Sequence, residues 1–302
     1  MRDLRGSKVL VTGAGGFLAR HVVPKLVAQG AEVVGLDLPF GLENARGFKS
    51  KANLVEGDIT DYASIERMKE KFDYLIHLAA IAAPLECETR PERAFLVNVQ
   101  GTFNVLKFAQ KRGAKKLIFS SSAHVYGISP KYMPTDEKHP LALQDVYTTS
   151  KILGESLCQL FYSNHNLEYV TTRLYNAYGP GQNEDYFIPA MISKAKTGRI
   201  ELRGRHVTKD FVFVEDVADA FVKALTSDFV GEVNLGSGNQ TTLEFVADHI
   251  AKAFGARLSF STVEPAGPSH MQCNTERARR ILGWEATTPI EKGLDTTIAA
   301  SK

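Results

Sequence analysis

The sequence predicts an α/β fold, a doubly wound parallel sheet with a smaller C-terminal lobe. Three observations carry this. Short apolar, β-branched runs alternate with amphipathic stretches through the first half, the runs are apolar on both faces, and polar clusters fall at their carboxyl ends. Strands buried on both faces and separated by helices pair in parallel through right-handed crossovers. Open sheets of this kind bind ligands beyond the carboxyl ends of their strands.

The elements follow in order. "KVLVTG" (8–13) is the first strand, and the amphipathic stretch 17–29 is the helix after it. "EVVGLDL" (32–38) and "ANLVEGD" (52–58) are the second and third strands, followed by a helical pattern over 61–71. "YLIHLAA" (74–80), "KLIFSSS" (116–122) and "EYVTTRLYN" (168–176) are the fourth to sixth strands, with helical stretches over 92–112 and 145–165 between them. From about Gly179 the alternation breaks. "YGPGQNEDYF" reads as loop, 187–197 as helix, "KDFVFVEDVADAFVKAL" as strand then helix, "GEVNLGSGNQ" as strand and loop, and 242–254 as helix. No internal repeat or low-complexity linker divides the chain, so its last third reads as a partial second layer interleaved with the sheet.

At 302 residues, 44% hydrophobic and 23% charged, the chain can bury a large core, or a main domain with a companion. A net charge of +2 and the lack of a lysine/arginine block give no nucleic-acid arm. "MRDLRGSKVLVTG" runs straight into a strand pattern with no apolar leader. The most tempting apolar run, "LIHLAAIAAPL", is too short for a membrane span and carries His77. Cys87, Cys158 and Cys273 are odd in number and far apart, so they fit neither a disulfide framework nor a metal knuckle. The expectation is a cytoplasmic protein with idle thiols, no metal, no nucleic-acid partner and no membrane.

In "LVTGAGGFLARHVV" (10–23), Gly13, Gly15 and Gly16 lie between a strand and a helix. Such a turn sets backbone N–H groups and the positive helix end where a pyrophosphate can sit, and glycine permits the close approach. Glycine clusters also punctuate ordinary turns. Context favours the dinucleotide: the turn opens the first helix, and Asp37 ends the second strand about twenty residues on, where a carboxylate accepts from adenosine ribose hydroxyls. That carboxylate repels a 2′-phosphate, and no arginine immediately follows it, so NAD is expected over NADP. Ala19 stands where a last glycine is usual. The position serves helix–strand packing and tolerates alanine. The expected division is a Rossmann-type NAD-binding part over 1–178, with 210–238 returning to it, and a lobe mainly over 179–302.

"VYTTSK" places Tyr147 and Lys151 four residues apart on one helical face. One reading is an exposed aromatic–lysine pair. The other is chemical. Bringing a phenol from a pKa near 10 to near 7 takes about 4 kcal/mol, and an ammonium about 4 Å away supplies that at an effective dielectric of about 20. Ser122, ending the strand before this helix, could address the same substrate oxygen. NAD with a tuned acid/base points to hydride transfer at an alcohol carbon.

At these residues the chain resembles an extended short-chain dehydrogenase/reductase of the nucleotide-sugar epimerase/dehydratase family. The matching pieces are "TGAGGFL", "GDITD", "HLAA", "NVQGTFNVL", "SSSAHVYG", "YTTSK", "RLYNAYGPGQ", "DFVFVEDVA", "NLGSG" and "ARRILGW", in the family's order over essentially the whole chain. The resemblance implies cofactor roles for Gly13, Gly16, Phe17 and Leu18 at the phosphates, Asp37 at the ribose, and Asp58 and Ile59 beside the adenine. It further implies Leu78 and Ala79 along the cofactor, Asn98 nearby, Ser122, Tyr147 and Lys151 as the catalytic set, and Asn176 facing the substrate. His77 matches a position that is usually structural. The family also commonly forms homodimers through two helices per subunit, here resembling 92–112 and 145–165, and the C-terminal lobe is expected to bind substrate.

Three departures bear on the substrate. Lys209 stands before "DF" where many members carry arginine, and "EPAGPSHMQCN" replaces an arginine-bearing stretch before the last helix. Lysine cannot copy the two-point grip of arginine on a diphosphate. Either Lys209, Arg203 or Arg205 holds a diphosphate differently, or the substrate lacks one. His124, two residues past Ser122, could move a proton beside a transient ketone, or could simply hydrogen-bond the sugar or a loop. The resemblance implies an NAD-dependent nucleotide-sugar epimerase acting at C4 through a 4-keto intermediate. Alternatives are a dehydratase, 5-epimerase or 4-ketosugar reductase using His124, a non-nucleotide sugar dehydrogenase, or a non-catalytic dinucleotide-binding protein, against which the intact Ser122, Tyr147 and Lys151 argue.

Overall fold

The computed structural model describes residues 2–45, 52–263 and 270–302. Its strands are β1 (Lys8–Thr12), β2 (Glu32–Asp37), β3 (Asn53–Glu56), β4 (Tyr74–His77), β5 (Lys116–Ser122), β6 (Glu168–Leu174) and β7 (Asn176–Tyr178). They continue with β8 (Arg199–Leu202), β9 (Thr208–Lys209), β10 (Phe211–Phe213), β11 (Gly231–Leu235), β12 (Thr241–Thr242) and β13 (Arg257–Phe260). Seven make one parallel sheet in the order β11-β6-β5-β4-β1-β2-β3. The chain winds outward from β1 through β2 to β3, then returns to place β4 on the other side of β1. That reversal opens a crevice between the carboxyl ends of β1 and β4.

Period-two alternation sends neighbouring strand residues to opposite layers. Val9, Val11, Ile76, Ile118 and Val170 face one helical layer, where helix Phe17–Ala28 packs on helix Val214–Thr226. Leu10, Leu75, Leu117 and Tyr169 face the other, formed largely by helices Thr102–Lys111 and Val146–His165. Ala19 is fully buried in the first layer, so the extra methyl is packed and the turn stands.

Three elements differ from expectation. The pattern over 61–71 yields only the helix Tyr62–Glu66, capped by Asp61. Ile65, Met68 and Phe72 keep helical spacing and all bury, but through a turn that lets Phe72 meet Phe108. The stretch 92–112 is helix Pro91–Phe95, a π-helical segment Leu96–Gly101 and helix Thr102–Lys111. The expected strand 168–176 ends at Leu174, and β7 leaves the sheet to pair with β10.

Beyond Tyr178 a second apolar cluster forms from Ile188, Ile192, Ile200, Leu202, Val246, Ile250 and Leu294, with Phe211 and Phe213 at its boundary with the sheet. Asp210 joins the parts. Its carboxylate accepts from Ser237 N and Oγ (2.7 and 2.8 Å), Gly238 N (2.9 Å) and Cys273 N (2.9 Å). Between β10 and β11, helix Val214–Thr226 runs along the first helix, where Lys25 Nζ meets Asp219 at 2.6 Å. Among the described residues no helix is long and apolar enough to cross a membrane. The three cysteines are free and buried.

Candidate active site

The crevice at the strand reversal is the floor of a cleft of about 720 Å³. Gly13, Gly16, Phe17 and Leu18 line it, as do Leu78, Ser122, His124, Tyr147, Lys151 and Asn176. Gly13 has φ +71, and a Cβ there would come within 2.7 Å of Ala79 N, so only glycine lets the first turn meet the loop after β4. Gly16 begins helix Phe17–Ala28 without a side-chain cap, leaving first-turn N–H groups beside the cleft. Bare backbone and orphan donors at a helix start suit the phosphates of a dinucleotide.

Asp37 closes the second strand as expected but turns inward. Its carboxylate accepts from Gly15 N at 2.8 Å and Leu38 N at 2.7 Å. Burial raises its pKa, and those two N–H groups oppose the rise. Gly15 is held so closely that a Cβ would lie 1.9 Å from the Gly41 carbonyl oxygen. Asp58 accepts from Thr60 N and Oγ1, both at 2.8 Å, while Ile59 is buried against Gly101. None of these three side chains lines the cleft.

Asn98, expected near the cofactor, does not itself line the cleft. It is buried in the π-helical segment, accepting from Ile81 N (2.8 Å) and donating to Ile81 O and Ser150 Oγ (both 3.0 Å). Its amide braces the strand-end loop against helix Val146–His165 and is spent there. His77 bridges Thr12 Oγ1 (2.6 Å) and Thr102 Oγ1 (3.0 Å). Burial pushes its imidazole down to about 3, which fits a structural strut.

Asp145 caps helix Val146–His165 by accepting from Thr148 N, and the helix carries Tyr147 and Lys151 into the cleft one turn apart. Lys151 Nζ donates to Ser120 O at 2.8 Å and lies 5.8 Å from the Tyr147 ring centre. Burial raises the Tyr147 phenol, with the Ser122 hydroxyl working in the opposite direction. Burial also pushes Lys151 down to about 8. Both side chains are buried in the wall of the cleft.

His124 meets Tyr147 edge-on, ring centres 6.1 Å apart. Burial first, and the Lys209 charge second, lower its pKa, so it is neutral near pH 7. Lys209 itself is pushed down to about 8 by burial. Arg203 is exposed and away from the cleft, and Arg205 is committed to Glu244 at 2.8 Å. Residues 264–269 of the arginine-less stretch lie outside the described residues. Among the cleft residues that escaped the sequence reading are Arg20, Gln182, Tyr186 and Met271. Arg20 directly follows the small residue of the glycine turn, which was the available signal.

A model of the NAD dependent epimerase/dehydratase family matches residues 9–236. The UDP-glucose 4-epimerase of Mycolicibacterium smegmatis is 32% identical over 310 residues, spanning 96% of this chain and 97% of that one. UDP-glucuronic acid decarboxylase 3 of Arabidopsis thaliana is 27% identical over 304 residues, spanning 95% and 86%. The UDP-glucose 4-epimerase of Thermotoga maritima, solved with UDP-glucose, superposes with a TM-score of 0.91 at 28% identity, covering 97% of this chain and 98% of that one.

Proposed function

The chain belongs to the NAD-dependent epimerase/dehydratase family, and from that premise we propose that it is a nucleotide-sugar 4-epimerase working through a transient 4-keto sugar. The observation that carries this reading is the convergence of Ser122, Tyr147 and Lys151 on the cleft that the uncapped glycine turn also lines. NAD, held at Gly13, Gly16, Phe17 and Leu18, supplies a hydride acceptor and donor when bound.

The chain's own residues handle the oxygen and its proton. Tyr147 takes the proton of the sugar 4-hydroxyl and later returns it, with Ser122 steadying the same oxygen. Lys151, fixed by the Ser120 carbonyl, keeps a positive charge under the phenol and so favours the phenolate that burial alone disfavours. Asn176, on β7, orients the sugar from the other wall, and Lys209 serves the phosphate side next to His124. In this reading residues 1–178 with 210–238 hold the cofactor, and the remainder from 179 onward mainly the substrate. Exposed Phe95, Leu96, Phe103, Leu153, Leu160 and Tyr162 on adjoining helices support a homodimer.

Incubation with UDP-glucose and NAD should give UDP-galactose, read by NMR. Loss of carbon dioxide from UDP-glucuronate with no interconversion of the two hexoses would overturn the epimerase reading. A second reading rests on His124, whose neutral imidazole beside Tyr147 could accept a proton at the carbon next to the ketone. That would make the enzyme a dehydratase, 5-epimerase or ketosugar reductase.

A further inference from the structure

We propose that Arg20 is a diphosphate-binding residue of the cleft, an assignment that rests on the nucleotide-sugar reading only for one of its two candidate ligands. Arg20 lies in the first helix just past the glycine turn and lines the cleft with Gly16, Phe17 and Leu18. Its Nε is buried and has no hydrogen-bond partner. Its Nη1 rests against Gly181, where a Cβ would come within 3.2 Å.

On the helix packed against this one, the Glu215 carboxylate is already engaged. Glu215 takes His21 Nδ1 at 2.6 Å and Lys25 at 3.3 Å, while His21 Nε2 meets Pro180 O at 3.0 Å and so fixes the loop that covers Arg20. Two other arginines of low exposure have their anions, Arg173 with Glu155 at 2.7 Å and Arg277 with Glu137 at 3.3 Å, while Arg112, whose Nε is also unpaired, lies over the Phe108 ring and donates to Glu66 O at 2.9 Å, away from the cleft. Among the described residues no such anion is paired with Arg20.

A buried N–H without a partner is costly, and a half-buried guanidinium that faces a cleft in this state is complementary to an anion there. Its planar fork matches two phosphate oxygens at once. This also answers the lysine before "DF": the arginine charge for a diphosphate enters from the cofactor-side helix. Two ligands carry that chemistry, the dinucleotide and the nucleoside diphosphate of the sugar, and both reach the same cleft.

Titration calorimetry of the full chain and of Arg20→Gln and Arg20→Lys, with NAD and with UDP, tests the assignment. Arg20→Gln should weaken one of the two by about tenfold or more, and Arg20→Lys should recover only part of the loss. Loss for NAD alone identifies the cofactor as the source, and loss for UDP alone the substrate. The melting temperature without ligand should hold or rise, because a partnerless charge has been removed. Parental affinity of Arg20→Gln for both ligands would overturn the assignment. An unmodified chain that binds NAD but not UDP would sink the nucleotide-sugar reading while the NAD comparison still decides Arg20. Binding of neither would sink both.

Discussion

Burial holds the Lys151 ammonium down to about 8, and Lys209 to the same level, whereas a lysine in the unfolded chain titrates near 10.4. Between those values the unfolded state keeps a proton that the folded state has released. Stability therefore rises with pH across about 8 to 10.4, while the positive charge under Tyr147 is lost. Turnover should fall above about pH 8 as the melting temperature gains, and Lys151→Met should remove its share of that gain; parallel pH–rate and melting profiles check both. Tyr147→Phe should keep the fold but lose about 10²- to 10⁴-fold in turnover, the usual worth of a positioned acid/base, measured on the true substrate. If His124 only contacts the sugar, a reaction run in deuterated water leaves every product carbon unlabelled. Deuterium at C5, abolished by His124→Ala, would favour the second reading. Spacing alone made Tyr147 and Lys151 legible, since a helix fixes which residues share a face. The direction of their pKa shifts was not, because desolvation depends on what distant segments lay over them. Arg20 was missed for the same reason: on a short amphipathic stretch an arginine reads as solvent-facing, and only the loop at Gly181 makes it a cleft residue.

The π-helical segment Leu96–Gly101 is where a helix gives up regularity to do a positioning job. The periodicity over 92–112 could not reveal it, because one extra residue in a turn hardly disturbs an apolar pattern. Asn98 sits there with its amide divided between Ile81 and Ser150, and Thr102 Oγ1 donates to Asn98 O at 2.6 Å. This links the loop carrying Leu78 and Ala79 to the helix carrying Tyr147. Asn98→Ala should leave the half-buried Ile81 N–H unpaired and its carbonyl with only the weak Cys87 Sγ donor at 3.5 Å, costing about 1 to 3 kcal/mol in urea denaturation. Asn98 was read as a cofactor contact from its place in a motif. If that were its role, the variant would lose NAD affinity and keep its stability.

Across the whole molecule the doubly wound parallel sheet, a site beyond the carboxyl ends of its strands and most cleft-floor residues were readable, because alternating apolar runs leave few topologies for a parallel sheet. The second wall was not, since it is assembled by a single carboxylate from segments far apart in sequence. Asp210 gathers the Ser237–Gly238 turn and Cys273, and β10 beside it pairs with β7, which carries Asn176. Lys209 and Met271 flank that knot, and Met271 lines the cleft. Asp210→Ala would strand the buried Cys273 N–H and the half-buried N–H groups of Ser237 and Gly238, and at about 1 to 3 kcal/mol for a buried group the loss in stability should be readily measured. The kinetic signature should separate the two walls. Tyr147→Phe removes chemistry and should appear in kcat. Asp210→Ala leaves Ser122, Tyr147 and Lys151 in place on the sheet side and loosens the surface that receives the sugar. Its loss in kcat/KM should therefore fall mainly on KM, with NAD affinity close to parental. A fall in kcat with KM unchanged would mean that the Asp210 knot sets the geometry of proton transfer itself, and the two walls would no longer count as separate in function.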